Sequence, residues 1–520
     1  RWIGYRPELS LAQVQILDNE NTVVLELGEV NAVISGLTLI NRQLIFHSLE
    51  IFNPTLSAKR DAEGLIWIAG SPVSDLGKGA DYKLQKWLVE QRQILIRDAV
   101  INWSDETRDR PDFIIQDANL RIDNQAGTHK ISISGKPSKE MASSLIFKAV
   151  FDSALNHKFI LGNGEFFLDL RSVKIGNPFT TGLFDHFQGH KIKSGGGDIR
   201  LWGSLTDNQV SEISTELSLS NLVVENVEDS NQVLIEKFTG LFKWQGDVTS
   251  RRITGRDIFF NLAGQQNELP VNFNFSNLGD EEYKLEMDIL NLGTVSRLLD
   301  QVSLRPFFSR EPDFNQISGF IANTTVRWTG RSKAVLLNEL NTEFNNLGFM
   351  SSNLAAGLSG LDGRLNFINR KGVFSIDSSD VSFFNHRALL HRLTFKKIRA
   401  DVIWENYEDK LKISIPEGAY SNGHMMGRIK ADFDDTDELF EVKLHIDKME
   451  ASHFWKYLPS KAPKTSKWME KSIKSGSLSD VTIVWSAPVE SLKSRKLPNL
   501  DDIVGTGHLS DVKLEYSQNW

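Results

Sequence analysis

The 520-residue sequence contains no cysteine, which excludes disulfides, thiolate chemistry and Cys-type zinc sites. It has no Lys/Arg-rich block, and its formal net charge is -8. A duplex nucleic-acid binder needs clustered cations to neutralise phosphates, so no nucleic-acid partner is expected. No run approaches the roughly 20 apolar residues of a spanning helix. Tracts rich in Pro, Gly and Ser, which would mark linkers, are also missing. The first residue is Arg1, and the last, Trp520, follows a strand-like run. Both ends read as cuts in a longer polypeptide, with any membrane anchor outside this segment.

What is present is alternation with a period of two. Leu217, Leu219 and Asn221 alternate with Glu216, Ser218 and Ser220. Val271, Phe273 and Phe275 alternate with Asn272, Asn274 and Ser276. The same holds for Leu285, Met287 and Ile289, for Leu411, Ile413 and Ile415, and for Val442, Leu444 and Ile446. Each run forms a strand with one apolar and one polar face. Asp123-Asn124-Gln125-Ala126-Gly127 and Asn369-Arg370-Lys371-Gly372 are hairpin signals between runs. The fold class is therefore mainly β, an antiparallel meander with few short helices. Helices are expected over Asp81 to Gln91 and Thr294 to Val302. A further one, over Ser452 to Leu458 and Ser466 to Ile473, is broken by Pro459 and Pro463. Phe179 to Phe187 is a weaker candidate. The chain divides into 1–300 and 301–520 without a clear linker.

Several strands end in an apolar-x-Trp pattern, at Trp103, Trp202, Trp244, Trp328, Trp404 and Trp485. Either each Trp caps a half-buried face at a strand end, or together they form an aromatic rim along one edge.

Catalytic and metal constellations are lacking. His186 and His190 are four apart, but Gly189 weakens the helix that would align them. His386 and His391 fit neither helical nor strand pairing. The acidic run Asp432 to Glu438 has Asp437 where a calcium loop needs Gly and Lys443 where it needs Glu, and reads as a solvated hairpin loop. Lys193-Ser194-Gly195-Gly196-Gly197 holds phosphate-loop residues in the wrong order, before a strand. No G-x-S-x-G elbow and no acid/base carboxylate pair is visible. No metal, cofactor or enzymatic activity is expected.

Several stretches resemble the YhdP branch of the AsmA-like proteins of Gram-negative bacteria. They are Trp87-Leu88-Val89-Glu90-Gln91-Arg92 with Ile94 to Ala99 and Trp103-Ser104-Asp105, then Ala118 to Asn124 and Gly197 to Trp202. Tyr457-Leu458-Pro459, Trp468 to Ile473 and Gly476 complete the series, whose order carries the resemblance. It implies a long twisted sheet curled into an open, taco-like hydrophobic groove, as in bridge-like lipid transfer proteins. It implies a periplasmic location, with an inner-membrane helix outside this segment. The implied role is phospholipid movement between inner and outer membranes, supporting outer-membrane lipid homeostasis and barrier function. The partners would be phospholipids and both membranes.

Such a conduit has a physical requirement. Each methylene exposed to water costs about 0.8 kcal/mol, so two ordinary acyl chains cost on the order of 20 kcal/mol. A one-sided amphipathic sheet can shelter them and stay hydrated outside. The candidate groove-lining residues are Leu217, Leu219, Phe273, Phe275, Leu285, Met287, Ile289, Ile413, Ile415, Leu444 and Ile446. The same alternation builds closed sandwiches, in which apolar faces meet each other. A non-catalytic structural or interaction scaffold of the envelope is the alternative. A carbohydrate-active β-protein would need two facing carboxylates, for which no pair is offered.

Overall fold

The computed structural model describes residues 2–3, 5–17, 23–38, 44–68, 71–72, 88–107, 112–125, 127–153, 161–177, 190–207, 209–227, 230–246, 251–263, 269–279, 281–296, 316–330, 335–351, 355–407, 410–434, 439–488 and 503–516. They fall into two compact units, one up to Pro270 and one from Val271.

The first unit opens with β1 (Trp2–Ile3), β2 (Arg6–Leu17), β3 (Val23–Ile34), β4 (Phe46–Phe52), β5 (Thr55–Arg60), β6 (Ile66–Ile68) and β7 (Ser71–Pro72). Then come β8 (Gln93–Asp105), β9 (Phe113–Gln125), β10 (Thr128–Pro137), β11 (Ser144–Ser153) and β12 (Leu161–Ile175). β13 (His190–Thr206), β14 (Gln209–Asn226), β15 (Gln232–Gly246) and β16 (Arg251–Leu262) follow. From β8 to β16 each strand pairs antiparallel with the next. One junction departs from the antiparallel expectation. Leu49–Phe52 of β4 and then Thr55–Arg60 of β5 run parallel to β8, beside Ile94–Arg97 and Val100–Asp105. Parallel neighbours need a long crossover, and the chain between β5 and β8 supplies one. Alternation within a strand carries no trace of its neighbour's direction.

The second unit holds β17 (Val271–Gly279), β18 (Glu282–Asn291), β19 (Gln316–Thr329), β20 (Leu336–Ser351), β21 (Ala356–Ile368) and β22 (Lys371–Asn385). It continues with β23 (Leu393–Tyr407), β24 (Lys410–Ser421), β25 (Met425–Asp434), β26 (Leu439–Glu450), β27 (Ile473–Pro488) and β28 (Ile503–Leu514). All pair antiparallel in chain order, so the unit is an open meander. Twelve strands at about 4.8 Å make this sheet roughly 50 Å across. Asn369 (φ 46) and Arg370 (φ 76) turn β21 into β22, the left-handed pair that a two-residue hairpin requires.

Between β26 and β27 sits the helical insert: α1 (Ala451–Tyr457), a 3-10 helix, and α2 (Pro463–Ser472). Pro459 separates the two, as expected. Pro463 instead opens α2, where its missing N–H costs nothing, so α2 begins earlier than the sequence pattern suggested. Of the other expected helices, Leu88–Glu90 and Leu292–Ser296 are helical. Residues 81–87, 297–302 and 179–187 lie outside the described residues.

The strands are bent in their middles. In the first unit Asp98, Asp117, Ser172, Asn221 and Asp257 take left-handed backbone conformations inside strands. Asn323, Asn346, Asp380, Asp480 and Asp511 do so in the second. Register shifts accompany them, as between Ala322 and Thr325 and between Phe344 and Leu347. These are β-bulges, which bend the strand and increase its twist. Asn and Asp tolerate this conformation better than other residues with a side chain. A neighbouring strand often satisfies the displaced amide. Ser172 N donates to Asp198 Oδ1 at 2.9 Å, and Asn346 N to Asp362 Oδ1 at 2.7 Å. The Ser172 amide is the first cause holding the Asp198 carboxyl below its usual range, followed by the Arg171 guanidinium. Bulges on successive strands crease the sheet, with one wing of each strand on either side.

Candidate functional site

The best-defined site is the apolar face of the second unit. Cross-strand register puts Phe273 opposite Met287 and Phe275 opposite Leu285. Leu285 in turn faces Val326, and Val326 faces Leu340. Further on, Ile413 pairs with Phe433, and Ile415 with Ala431. Ile429 faces Leu444, which faces Ile483, while Gly427 faces Ile446, which faces Val481. Directly opposed residues share a face. Eight of the expected lining residues, Phe273, Phe275, Leu285, Met287, Ile413, Ile415, Leu444 and Ile446, thus lie on the apolar face of this unit.

Ile289 lies past a bend. It pairs with Ala322, whereas its neighbour Leu290 pairs with Ile321, and Ile321 packs in the apolar cluster. Leu217 and Leu219 belong to the first unit, where they pack with Val173, Ile199, Leu222 and Phe238. Asn221 does not continue their phase. Its left-handed conformation (φ 51) hands the apolar face to Leu222.

Burial along this face is graded. At the crease, Phe344 (2% exposed) and Val381 (0%) are buried with Leu361. Their cluster draws in Ile321, Leu347, Leu358, Phe374 and Ile398 from both wings. Phe344 stacks on Phe374 at 4.4 Å across the intervening strand. Gly363 makes that possible, since a Cβ there would lie 2.7 Å from Phe344 Cζ and 2.0 Å from Ser375 O. Away from the crease, Phe273, Leu285, Leu340, Leu365, Phe367 and Leu444 are only half-buried. A sandwich core would bury such residues under a second sheet.

Toward the strand ends the face is edged with aromatics. Tyr283 stacks on Trp328 at 5.6 Å, Phe367 on Trp404 at 6.3 Å, and Trp485 meets Phe440 edge-on at 4.7 Å. Trp328, Trp404 and Trp485 stand near the ends of β19, β23 and β27, which run in one direction within this unit. Trp404 lies over Gly372, where a Cβ would come within 2.1 Å of its ring. Trp202 departs from the pattern. It is 39% exposed and packs on Phe167, whereas its neighbour Leu201 continues the apolar face of Ile199 and Leu217.

The opposite face is charged. Arg327 pairs with Glu339 at 3.1 Å, Arg399 with Asp377 at 2.9 Å and Arg428 with Asp447 at 2.7 Å. Lys397 and Arg399 hold the Asp377 carboxyl below its usual range. Exposed pairs like these are screened by water and add little to stability, and they keep that face hydrated.

The helical insert lies on the apolar face. Phe454 and Tyr457 of α1 pack with Met425, Ile446, Met449 and Val481. The Tyr457 hydroxyl is 2.7 Å from Asn422 Nδ2 and 2.8 Å from His424 Nε2. His424 stacks on His453 at 4.2 Å. Burial, then the neighbouring His453 and Lys456, push the His424 imidazole below its ordinary value. No sequence pattern marks this cluster, because its members come from the turn between β24 and β25 and from α1.

Among the described residues no group of three His, Asp or Glu could hold a metal ion. His190 is buried on β13 opposite Asn226, and His186 lies outside the described residues. No helix among the described residues is long and apolar enough to cross a membrane.

The YhdP protein family model matches residues 1–520. The chain belongs to the YhdP family. That family is envelope-associated and is not a known enzyme family. Membership suggests a role in lipid transport or in the cell envelope. No curated protein and no solved structure matches the chain. The stretches that carried the resemblance are fixtures of the fold of this YhdP-family chain. Gln91, 0% exposed, accepts from Phe46 N at 2.8 Å, and its carbonyl accepts from Asn124 Nδ2 at 2.6 Å. Together they seat the start of β4 beside β8 and β9. Asn119, with Asp98 N 3.4 Å from its Oδ1, spans two adjacent bulges by donating to Asp117 O, and Asp198 holds a third.

Proposed function

We propose that this chain carries phospholipids between the inner and outer membranes, along the apolar faces of its sheets. The observation that carries the reading is the graded burial in the second unit. The crease is buried, while the wings keep large apolar side chains partly exposed over many consecutive strands. Acyl chains would complete that burial at about 25 cal/mol per Å² of apolar area covered. Contacts of this kind are non-directional, so a lipid can slide from strand to strand without a large barrier. The aromatic edging suits the boundary between acyl chains and water, where Trp and Tyr are favoured. Family membership supports the same reading. The location is periplasmic, and the outcome is outer-membrane lipid homeostasis.

The test is extraction and mass spectrometry of the chain purified without added lipid. Phospholipid should accompany it in more than trace amounts. A lipid-free preparation with the same fold would favour the envelope scaffold instead, with the apolar faces closed on protein.

A further inference from the structure

The sequence is acidic overall, yet residues 451–474, spanning the helical insert, carry six lysines against one glutamate. Lys461, Lys464, Lys467 and Lys471 are exposed. The loop His386–Arg392 adds two arginines and no carboxylate. It is fastened to the insert: Ser460 N donates to Ala388 O at 2.9 Å, Ser460 Oγ to Arg387 O at 2.5 Å, and His391 meets Trp455 edge-on at 4.8 Å. Arg387 and Arg392 are exposed too. Among the described residues no ion pair engages these six side chains, whereas Lys474, at the start of β27, pairs with Glu515. On the charged face of the second unit Arg327, Arg399 and Arg428 each sit beside a carboxylate, whereas this corner gathers six cations, none in an ion pair among the described residues.

Its position gives the charge a use. Phe454 and Tyr457 of the same insert rest on the apolar face beside Met425 and Ile446. A lipid with its chains on that face must hold its phosphate at the water boundary, and this corner sets uncompensated cations there. A lysine near an anionic lipid surface contributes about 1 kcal/mol, roughly fivefold in affinity. We infer that the insert and the His386–Arg392 loop form a headgroup site selective for anionic phospholipids. Charge complementarity is the ground for choosing that occupant. The inference rests on the transport reading and names its substrate class.

The experiment uses the full chain after delipidation, titrated with dihexanoyl-phosphatidylglycerol, dihexanoyl-phosphatidylcholine and inorganic phosphate. The parent should bind the phosphatidylglycerol about tenfold or more tighter than the phosphatidylcholine, and inorganic phosphate more weakly than either. Lys464→Glu with Lys467→Glu should abolish the preference while leaving phosphatidylcholine binding in place. Arg387→Glu should reduce it. Lys430→Glu with Lys448→Glu, an equal charge change outside the insert and the loop, should retain it. Equal binding of both lipids by the parent overturns the inference and leaves the transport reading standing. So does a preference that survives Lys464→Glu with Lys467→Glu, or inorganic phosphate bound as tightly as phosphatidylglycerol. Binding of neither lipid overturns the transport reading and this inference with it.

Discussion

The crease and the wings of the second unit are built from the same residue types but are packed differently. Phe344, Leu361 and Val381 at the crease are as buried as a globular core. Phe273, Leu285, Phe367 and Leu444 on the wings lie on the same face and stay half-exposed. Bending explains the difference. A crease brings apolar side chains from both wings over the bulge, and protein covers protein there. Farther out, apart from the helical insert over Met425, Ile446 and Val481, no second layer among the described residues covers the face. The crease therefore specifies the fold, and the wings are what the fold leaves available to a ligand.

Substitutions can break that contrast. Val381→Asp buries an unpaired charge at the tightest point and should cost more than about 4 kcal/mol, leaving an expanded chain in urea unfolding followed by circular dichroism. Phe344→Ala should cost about 3–5 kcal/mol in the same measurement, through a cavity that Gly363 cannot fill. Asp362→Ala strips the Asn346 amide of its acceptor and should cost about 1–2 kcal/mol. It should also raise hydrogen exchange at the bulge. Leu444→Glu and Phe273→Asp, on the wings, should each cost about 1 kcal/mol and yet largely remove bound phospholipid. If they unfold the chain as Val381→Asp does, wings and crease are one core and the contrast fails.

The smallest effect concerns pH at the insert. His424 is held below the ordinary histidine value of about 6.5. The folded chain therefore binds that proton less well than the unfolded chain. This contribution to stability is present above about pH 6.5 and is lost as pH falls from there toward the folded value. Glu450, which pairs with His453 at 3.1 Å, opposes the shift. Acidification from pH 7.5 to 5.5 should loosen α1, read as faster hydrogen exchange at 451–457, and His424→Gln should weaken that pH dependence.

Much of this architecture was legible in the sequence. Alternation assigned Phe273, Phe275, Leu285, Met287, Leu444 and Ile446 to one face, because the period of two holds between bulges. It failed where the backbone changes phase. At Asn221 the apolar series moves to Leu222, and near Ile289 it moves to Leu290. A signal for this exists, namely an Asn, Asp or Ser inside an otherwise apolar-phased run with the next apolar residue one place out of step, as in Leu219-Ser220-Asn221-Leu222. The parallel seating of β4 and β5 on β8 was not legible, since pairing direction leaves no mark on either strand. The insert's basic corner was half legible. Its lysines cluster within 461–471, but the loop that completes it joins through Ser460, 73 residues from Arg387.

Adjacent positions on β26 give the most direct test of the account. Leu444 lies on the apolar face and Lys443 on the charged one. A photo-crosslinking amino acid placed at each position in turn, in cells, should yield a phospholipid adduct at 444 and none at 443, read by mass spectrometry of the purified chain. Equal labelling at both positions, or a protein adduct at 444 in place of lipid, would contradict the claim that the apolar face is a path for lipid.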